Sequence, residues 1–187
     1  LLVVAGCKKE DTKTPFEGFS SPANFPSPTY NFASNAVTEP GFVLGKKLFY
    51  DGRLSRDGSI SCASCHISFS AFSHVDHSVS HGIDDRLGTR NAPAVQNMAW
   101  ERFFFWDGGV FDLDLFSINP IQNHDEMDDT IPNVIAKLKA DPEYVRQFKA
   151  AFGTEEVTPT RMFQALSQFM CMLVSNDSKY DKVLKGT

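Results

Sequence analysis

The sequence is short of cysteine, short of positive charge, and without any apolar run that could cross a bilayer. Of its 187 residues, four are Cys, 18 are Lys or Arg and 23 are Asp or Glu, which leaves a net charge of −5. That acidic balance excludes a general nucleic-acid binder, whose surface must carry excess positive charge to meet phosphates. No stretch reaches the ~20 consecutive apolar residues that a membrane-spanning helix needs. Sustained alternation of apolar and polar residues is missing too, so no strand is expected, and there is no internal repeat. What is plentiful is Phe, with 17 residues against two Trp and four Tyr. Such a composition suits a core wrapped around a large flat apolar ligand, although Phe-rich packing alone gives the same count. The length suits one domain with a tail.

No initiating Met precedes Leu1-Leu2-Val3-Val4-Ala5-Gly6-Cys7. Small residues ahead of a Cys, after an apolar run, are similar to the end of a bacterial lipoprotein signal. Cys7 is therefore expected to carry lipid as the mature N-terminus, the alternative being a stray Cys in a disordered start. Lys8 to Lys13 have a tether's composition. Residues 1–35 are read as signal remnant and flexible tether, and 36–187 as the folded domain. The expected location is the periplasm or the outer cell surface, with membrane contact only through the lipid.

Helix signals begin at Thr38-Glu39-Pro40, a capping residue followed by Pro in the first turn. They predict a helix through Leu44, Leu48 and Phe49, ended by Asp51-Gly52. From Ile67 to about Met127 periodicity fades and Gly, Pro, Asn and Asp abound. So long a loop-rich stretch inside a domain is usually functional, and a cofactor would give the loops something to pack on. Three helices then follow: Ile131 to Ala140, Pro142 to a stop at Gly153, and one opened by Thr158-Pro159 with an apolar stripe through Met162, Phe163, Leu166, Phe169, Met170 and Leu173. The predicted fold class is all-α with long loops. Cys171 falls in that stripe and reads as a buried, inert thiol.

The sharpest signal is Cys62-Ala63-Ser64-Cys65-His66. Two thiols at this spacing reach both vinyl groups of one porphyrin as thioethers, and the adjacent His supplies an imidazole to the iron. A redox-active dithiol would want a preceding strand, and none is legible. Half a zinc site would want a second ligand pair, for which His74, His77 and His81 are nearby. The complete motif, with its His, points to haem c.

Around it, Leu44-Gly45-Lys46-Lys47-Leu48-Phe49-Tyr50-Asp51, Arg53-Leu54-Ser55, Gly88-Thr89-Arg90-Asn91-Ala92-Pro93, Phe105-Trp106-Asp107-Gly108-Gly109, Pro120-Ile121, Asp125-Glu126-Met127 and Ser178-Lys179-Tyr180-Asp181 stand in a familiar order. From about Val37 onward the chain resembles the bacterial di-haem cytochrome c peroxidase family, which includes MauG-like enzymes. The resemblance implies a cytochrome c-like domain holding the peroxide-reacting haem, and a second haem in a C-terminal domain that would begin about where this sequence stops, the alternative being a one-haem relative. It implies His81 as the distal iron ligand of the resting state, released when the second haem is reduced. Glu126 becomes the distal acid-base group, Trp106 an electron relay between the haems, and Asn91 a ligand of an interdomain calcium ion. His74 and His77 are left as surface residues. The implied partners are hydrogen peroxide, a small cytochrome c or cupredoxin donor, and a second copy in a homodimer.

One position departs from the family. Where a Gln is usual beside the distal pocket, this chain has Phe116, which cannot donate a hydrogen bond to peroxide. Three activities follow as expectations: reduction of hydrogen peroxide to water, MauG-like oxidation of a protein substrate, or electron carriage by a permanently six-coordinate haem.

Overall fold

The computed structural model describes residues 15–186. Its elements are α1 (Glu39–Tyr50), α2 (Cys62–Cys65), α3 (Leu113–Phe116), α4 (Ile118–Gln122), α5 (Ile131–Lys139), α6 (Pro142–Phe152), α7 (Pro159–Cys171) and α8 (Lys179–Lys185), with short 3-10 turns between them. Among the described residues only isolated bridges, such as Ile67 with Ser73, represent β structure. The all-α reading with long loops therefore holds.

The four longer helices start by one recipe. Thr38, Thr130, Asp141 and Thr158 each offer a side-chain oxygen to a backbone N–H of the first turn, and a Pro follows where its missing N–H costs nothing. Each such cap is worth about 1 kcal/mol.

The core lies where α1 crosses α7. Leu44, Leu48 and Leu166 are fully buried there, each contributing roughly 1.5–3 kcal/mol on leaving water. The crossing is close because Gly45 has no side chain: a Cβ at that position would lie 1.9 Å from the Ala165 carbonyl oxygen. Polar atoms at the crossing are paired. Gln168 accepts from the Thr38 amide at 3.0 Å and donates to Asn35 Oδ1 at 2.7 Å. Asn35 in turn donates to the Gln164 carbonyl at 2.9 Å. On the other side of α1, the buried Tyr144 of α6 donates its hydroxyl proton to Asp51 Oδ2 at 2.6 Å.

Three expectations need correction. The lead-in from residue 15 to 35 is irregular, as read, but it is not a free tether where it is described. Thr29 and Tyr30 both donate backbone N–H groups to the Ala99 carbonyl, Trp100 Nε1 donates to the Pro26 carbonyl at 2.8 Å, and Phe19 stacks on Phe32 with ring centres 4.2 Å apart. Its aromatic residues bury themselves on the domain, so residue 35 is no physical seam. Second, the stretch from Ile67 to Met127 contains α3 and α4, which are too short to show a period. Third, α8 adds a fourth closing helix, held by a reciprocal Ser178–Asp181 cap; its Val183 and Leu184 are exposed, so no apolar stripe announced it. Cys7, with the lipid expected on it, lies outside the described residues.

Candidate functional site

The single turn of α2 is set by Ser61, whose backbone N–H donates to Ser64 Oγ at 3.0 Å. Cys62 and Cys65 stand three positions apart on it and so share a face. Both thiols are free. Together with His66 they line a narrow cleft of about 40 Å³ that Phe49, Met127 and Met170 also bound. Cys65 and His66 continue into a larger cavity of about 500 Å³, within the size range of cofactor sites.

His66 follows directly. Its backbone N–H donates to the Cys62 carbonyl at 2.9 Å, and its ring Nδ1 lies 2.9 Å from the Phe72 carbonyl. A carbonyl only accepts, so Nδ1 carries the proton and Nε2 keeps its lone pair, the arrangement of a ligating imidazole. Burial pushes the ring's pKa below the usual histidine value, while the carbonyls of Phe72 and Pro93 act against that shift. A neutral ring is what iron requires.

The two thiols are not those of a redox dithiol. Burial pushes Cys62 up to about 12, with Cys65 adding to the effect, and raises Cys65 as well, against a hydrogen bond from Ser80. Reactive cysteines need the opposite shift. The zinc alternative also lacks its geometry. His74 and His77 stack on each other with ring centres 4.4 Å apart and share a 2.6 Å hydrogen bond. Among the described residues no group of three or more His, Cys, Asp or Glu side chains is disposed to hold a metal ion. Paired neutral thiols, one free imidazole nitrogen and a partly apolar cavity fit haem c.

Glu126 lines both the cleft and the cavity. Burial raises its carboxyl above the usual carboxylate range, Asp125 adds to the rise, and Asn123 opposes it by donating from Nδ2 to Oε1 at 2.7 Å. The backbone here is clamped. Ile83 N–H donates to the Glu126 carbonyl and Arg56 N–H to that of Met127, each at 2.9 Å. Gly82 lies so close that a Cβ would come 2.2 Å from the Asp125 carbonyl oxygen. Asp128 is held between Arg56 at 2.6 Å and Arg86 at 2.5 Å. Glu126 precedes α5 rather than capping it.

Trp106 and Asn91 edge the same cavity. The indole, 64% exposed, donates from Nε1 to the Asn91 carbonyl at 2.7 Å. Asn91 Nδ2 donates to the Ser78 carbonyl at 3.2 Å, which leaves Oδ1 as the side-chain atom a cation would take. Phe116 is buried on the cavity wall, its ring stacked on Phe105 with centres 4.7 Å apart. His81 is the residue that the structure does not bring in. It is outside the set lining the cavity, with Nδ1 bonded to Asp85 and its ring 4.8 Å from that of His77.

Sequence reasoning missed the Phe72 carbonyl, Ser80 and the close approach at Gly82. A backbone carbonyl leaves no mark in a sequence; a Gly beside His81 was the one available signal.

The model of the di-haem cytochrome c peroxidase family matches residues 39–187. The cytochrome c551 peroxidase of Nitrosomonas europaea is 40% identical over 144 residues, covering 76% of this chain and 42% of its own. The methylamine utilization protein MauG of Methylorubrum extorquens is 37% identical over 170 residues, covering 90% of this chain and 46% of its own. Among solved structures, a MauG-like protein associated with microbial copper homeostasis superposes with a TM-score of 0.79 at 33% identity, over 90% of this chain and 50% of that one. The chain thus spans about half the length or less of these relatives, and haem c is the cofactor such kinship implies. On these grounds the chain belongs to the di-haem cytochrome c peroxidase family.

Proposed function

We propose that the chain is the peroxide-reacting half of a haem c peroxidase. The observation that carries this reading is one cavity lined by Cys65, His66 and Glu126, the last a carboxyl whose proton affinity is raised by burial. Haem, bound through Cys62 and Cys65, would supply the iron that takes peroxide and the electrons that cleave it. The protein's part is then specific. His66 would hold the iron through Nε2, its ring oriented by the Nδ1–H that donates to the Phe72 carbonyl. Glu126 takes a proton from the near peroxide oxygen and returns it to the far one, so that O–O cleavage expels water rather than hydroxide. The balance is hydrogen peroxide, two electrons and two protons to two waters.

Electrons would enter through Trp106 from a second haem in the remainder of the protein, and ultimately from a small cytochrome c or cupredoxin. Asn91 Oδ1 is proposed as one calcium ligand; calcium takes about six to eight oxygens, the others from backbone, water and the remaining domain. His81 is proposed as the resting-state iron ligand, and its bond to Asp85 as the arrangement once it has left. A periplasmic or outer-surface location, a lipid on Cys7 and a homodimer complete the proposal. A MauG-like oxidation of a protein substrate is the second reading, favoured by the Phe116 ring, which offers peroxide no hydrogen bond.

The test is a steady-state assay of full-length, haem-loaded protein with peroxide and a reduced small cytochrome. Turnover that falls at least a hundredfold in Glu126→Gln supports the peroxidase. Absence of turnover, with oxidation of a partner protein instead, supports the second reading.

A further inference from the structure

Two of the four tyrosines donate their hydroxyl proton to a carboxylate: Tyr144 to Asp51 at 2.6 Å, and Tyr30 to Asp114 Oδ1 at 2.7 Å. Tyr144 lies beneath two cations, Lys47 Nζ 4.5 Å and the Arg53 guanidinium 5.5 Å from its ring centre. Positive charge over a ring opposes removal of an electron from it. Tyr30 instead meets Phe32 edge-on, with ring centres 5.0 Å apart. Its oxygen also accepts from Asn35 Nδ2 at 2.7 Å, so its donor and acceptor directions are both fixed. Tyr50 and Tyr180 are exposed.

The route from Tyr30 to the haem cleft runs through α7. Met170 lines that cleft with Cys62 and His66, and the next residue, Cys171, is fully buried. Cys171 raises the proton affinity of Tyr30, and Asp114 raises that of Cys171, so the three groups lie within reach of one another's charge. Asn35 ties the phenol oxygen to the same helix through the Gln164 carbonyl. Tyr30 also borders an open groove of about 750 Å³. Burial first, and then the bond to Asp114, hold the phenol's pKa above the usual tyrosine value. Phenolate is thereby excluded, and an electron leaves this ring only as its proton moves to Asp114.

Hydrogen peroxide takes two electrons, whereas a small protein with one haem or one copper delivers them singly. We propose that Tyr30 is a redox-active residue, which gives one electron to the peroxide-oxidised haem when no donor protein is bound and passes its phenolic proton to Asp114. The O–H bond breaks, the haem is reduced by one electron, and a neutral phenoxyl remains beside the open groove. A later electron from the donor, with the proton held by Asp114, restores the phenol. This inference rests on the peroxidase reading and adds an internal electron source to it.

The experiment uses full-length, haem-loaded protein in a His81→Gly background, which leaves the iron's sixth position open. Hydrogen peroxide is added without donor, and samples frozen at successive times are read by electron paramagnetic resonance and visible spectroscopy. A tyrosyl radical should appear, and growth on ring-deuterated tyrosine should narrow its signal. Tyr30→Phe should abolish that signal while the haem still reacts; Tyr144→Phe should keep it. Asp114→Asn, which removes the proton acceptor, should slow its appearance about a hundredfold. A haem that peroxide oxidises without any tyrosyl signal, or a signal that survives Tyr30→Phe, would overturn the proposal while leaving peroxidase chemistry intact. A haem that does not react with peroxide would overturn both readings.

Discussion

Asn123 donates from Nδ2 to Oε1 of Glu126 at 2.7 Å, and that bond is the main force holding the buried carboxyl's proton affinity down. In the proposed mechanism the ionised carboxylate is the form that takes a proton from peroxide. Its pKa is raised above the ordinary value of about 4.3, so peroxide reactivity should be lost as pH falls through that raised value. Asn123→Ala removes the stabilising donor and moves this acid limb to higher pH. An unmoved limb would separate Asn123 from the chemistry.

Glu126→Gln should keep haem and fold but lose roughly 10²-fold or more in peroxide reactivity, the usual share of a general acid-base group, along with the acid limb itself. Stopped-flow reaction with peroxide reads both. Unchanged rates would remove Glu126 from the mechanism.

The proposed role of His81 as distal ligand has its own spectroscopic test. After half-reduction of the full-length protein, release of His81 should turn the haem of this domain high-spin. His81→Gly should be high-spin without any reduction. Low-spin spectra throughout would instead favour a pure electron carrier.

Trp106 is exposed and makes one hydrogen bond, to the Asn91 carbonyl. Trp106→Phe should therefore change stability by less than about 1 kcal/mol while slowing electron arrival at this haem in the full-length protein. Equal electron-transfer rates would leave the indole a packing residue.

Gly45 makes a prediction about the fold alone. Its Cβ would lie against the Ala165 carbonyl, so Gly45→Ala must spread α1 from α7, at a cost of about 1–3 kcal/mol. Urea unfolding measures it, and a loss near zero would mean the crossing is slack.

How much of this was legible in the sequence follows from where each signal lives. Thr38-Glu39-Pro40 and Thr158-Pro159 announced helix starts because capping is local chemistry. Cys62, Cys65 and His66 announced haem because covalent attachment fixes their spacing. α3 and α4 were silent, being shorter than the period that would reveal them. The lead-in looked like a tether since its polar residues outnumber the few aromatic ones that anchor it. Phe72 holds His66 with a backbone carbonyl, which any residue could supply. His81 was named by resemblance; its bond to Asp85 depends on two left-handed residues, Asp84 and Asp85, that no pattern foretells.

Everything rests on a porphyrin joined to α2. Denaturing mass spectrometry of the exported protein, with peptide mapping, should find one added haem mass per copy of this domain on the peptide spanning residues 62–66. A peptide of unmodified mass with two free thiols, or bound zinc in place of iron, would contradict the account.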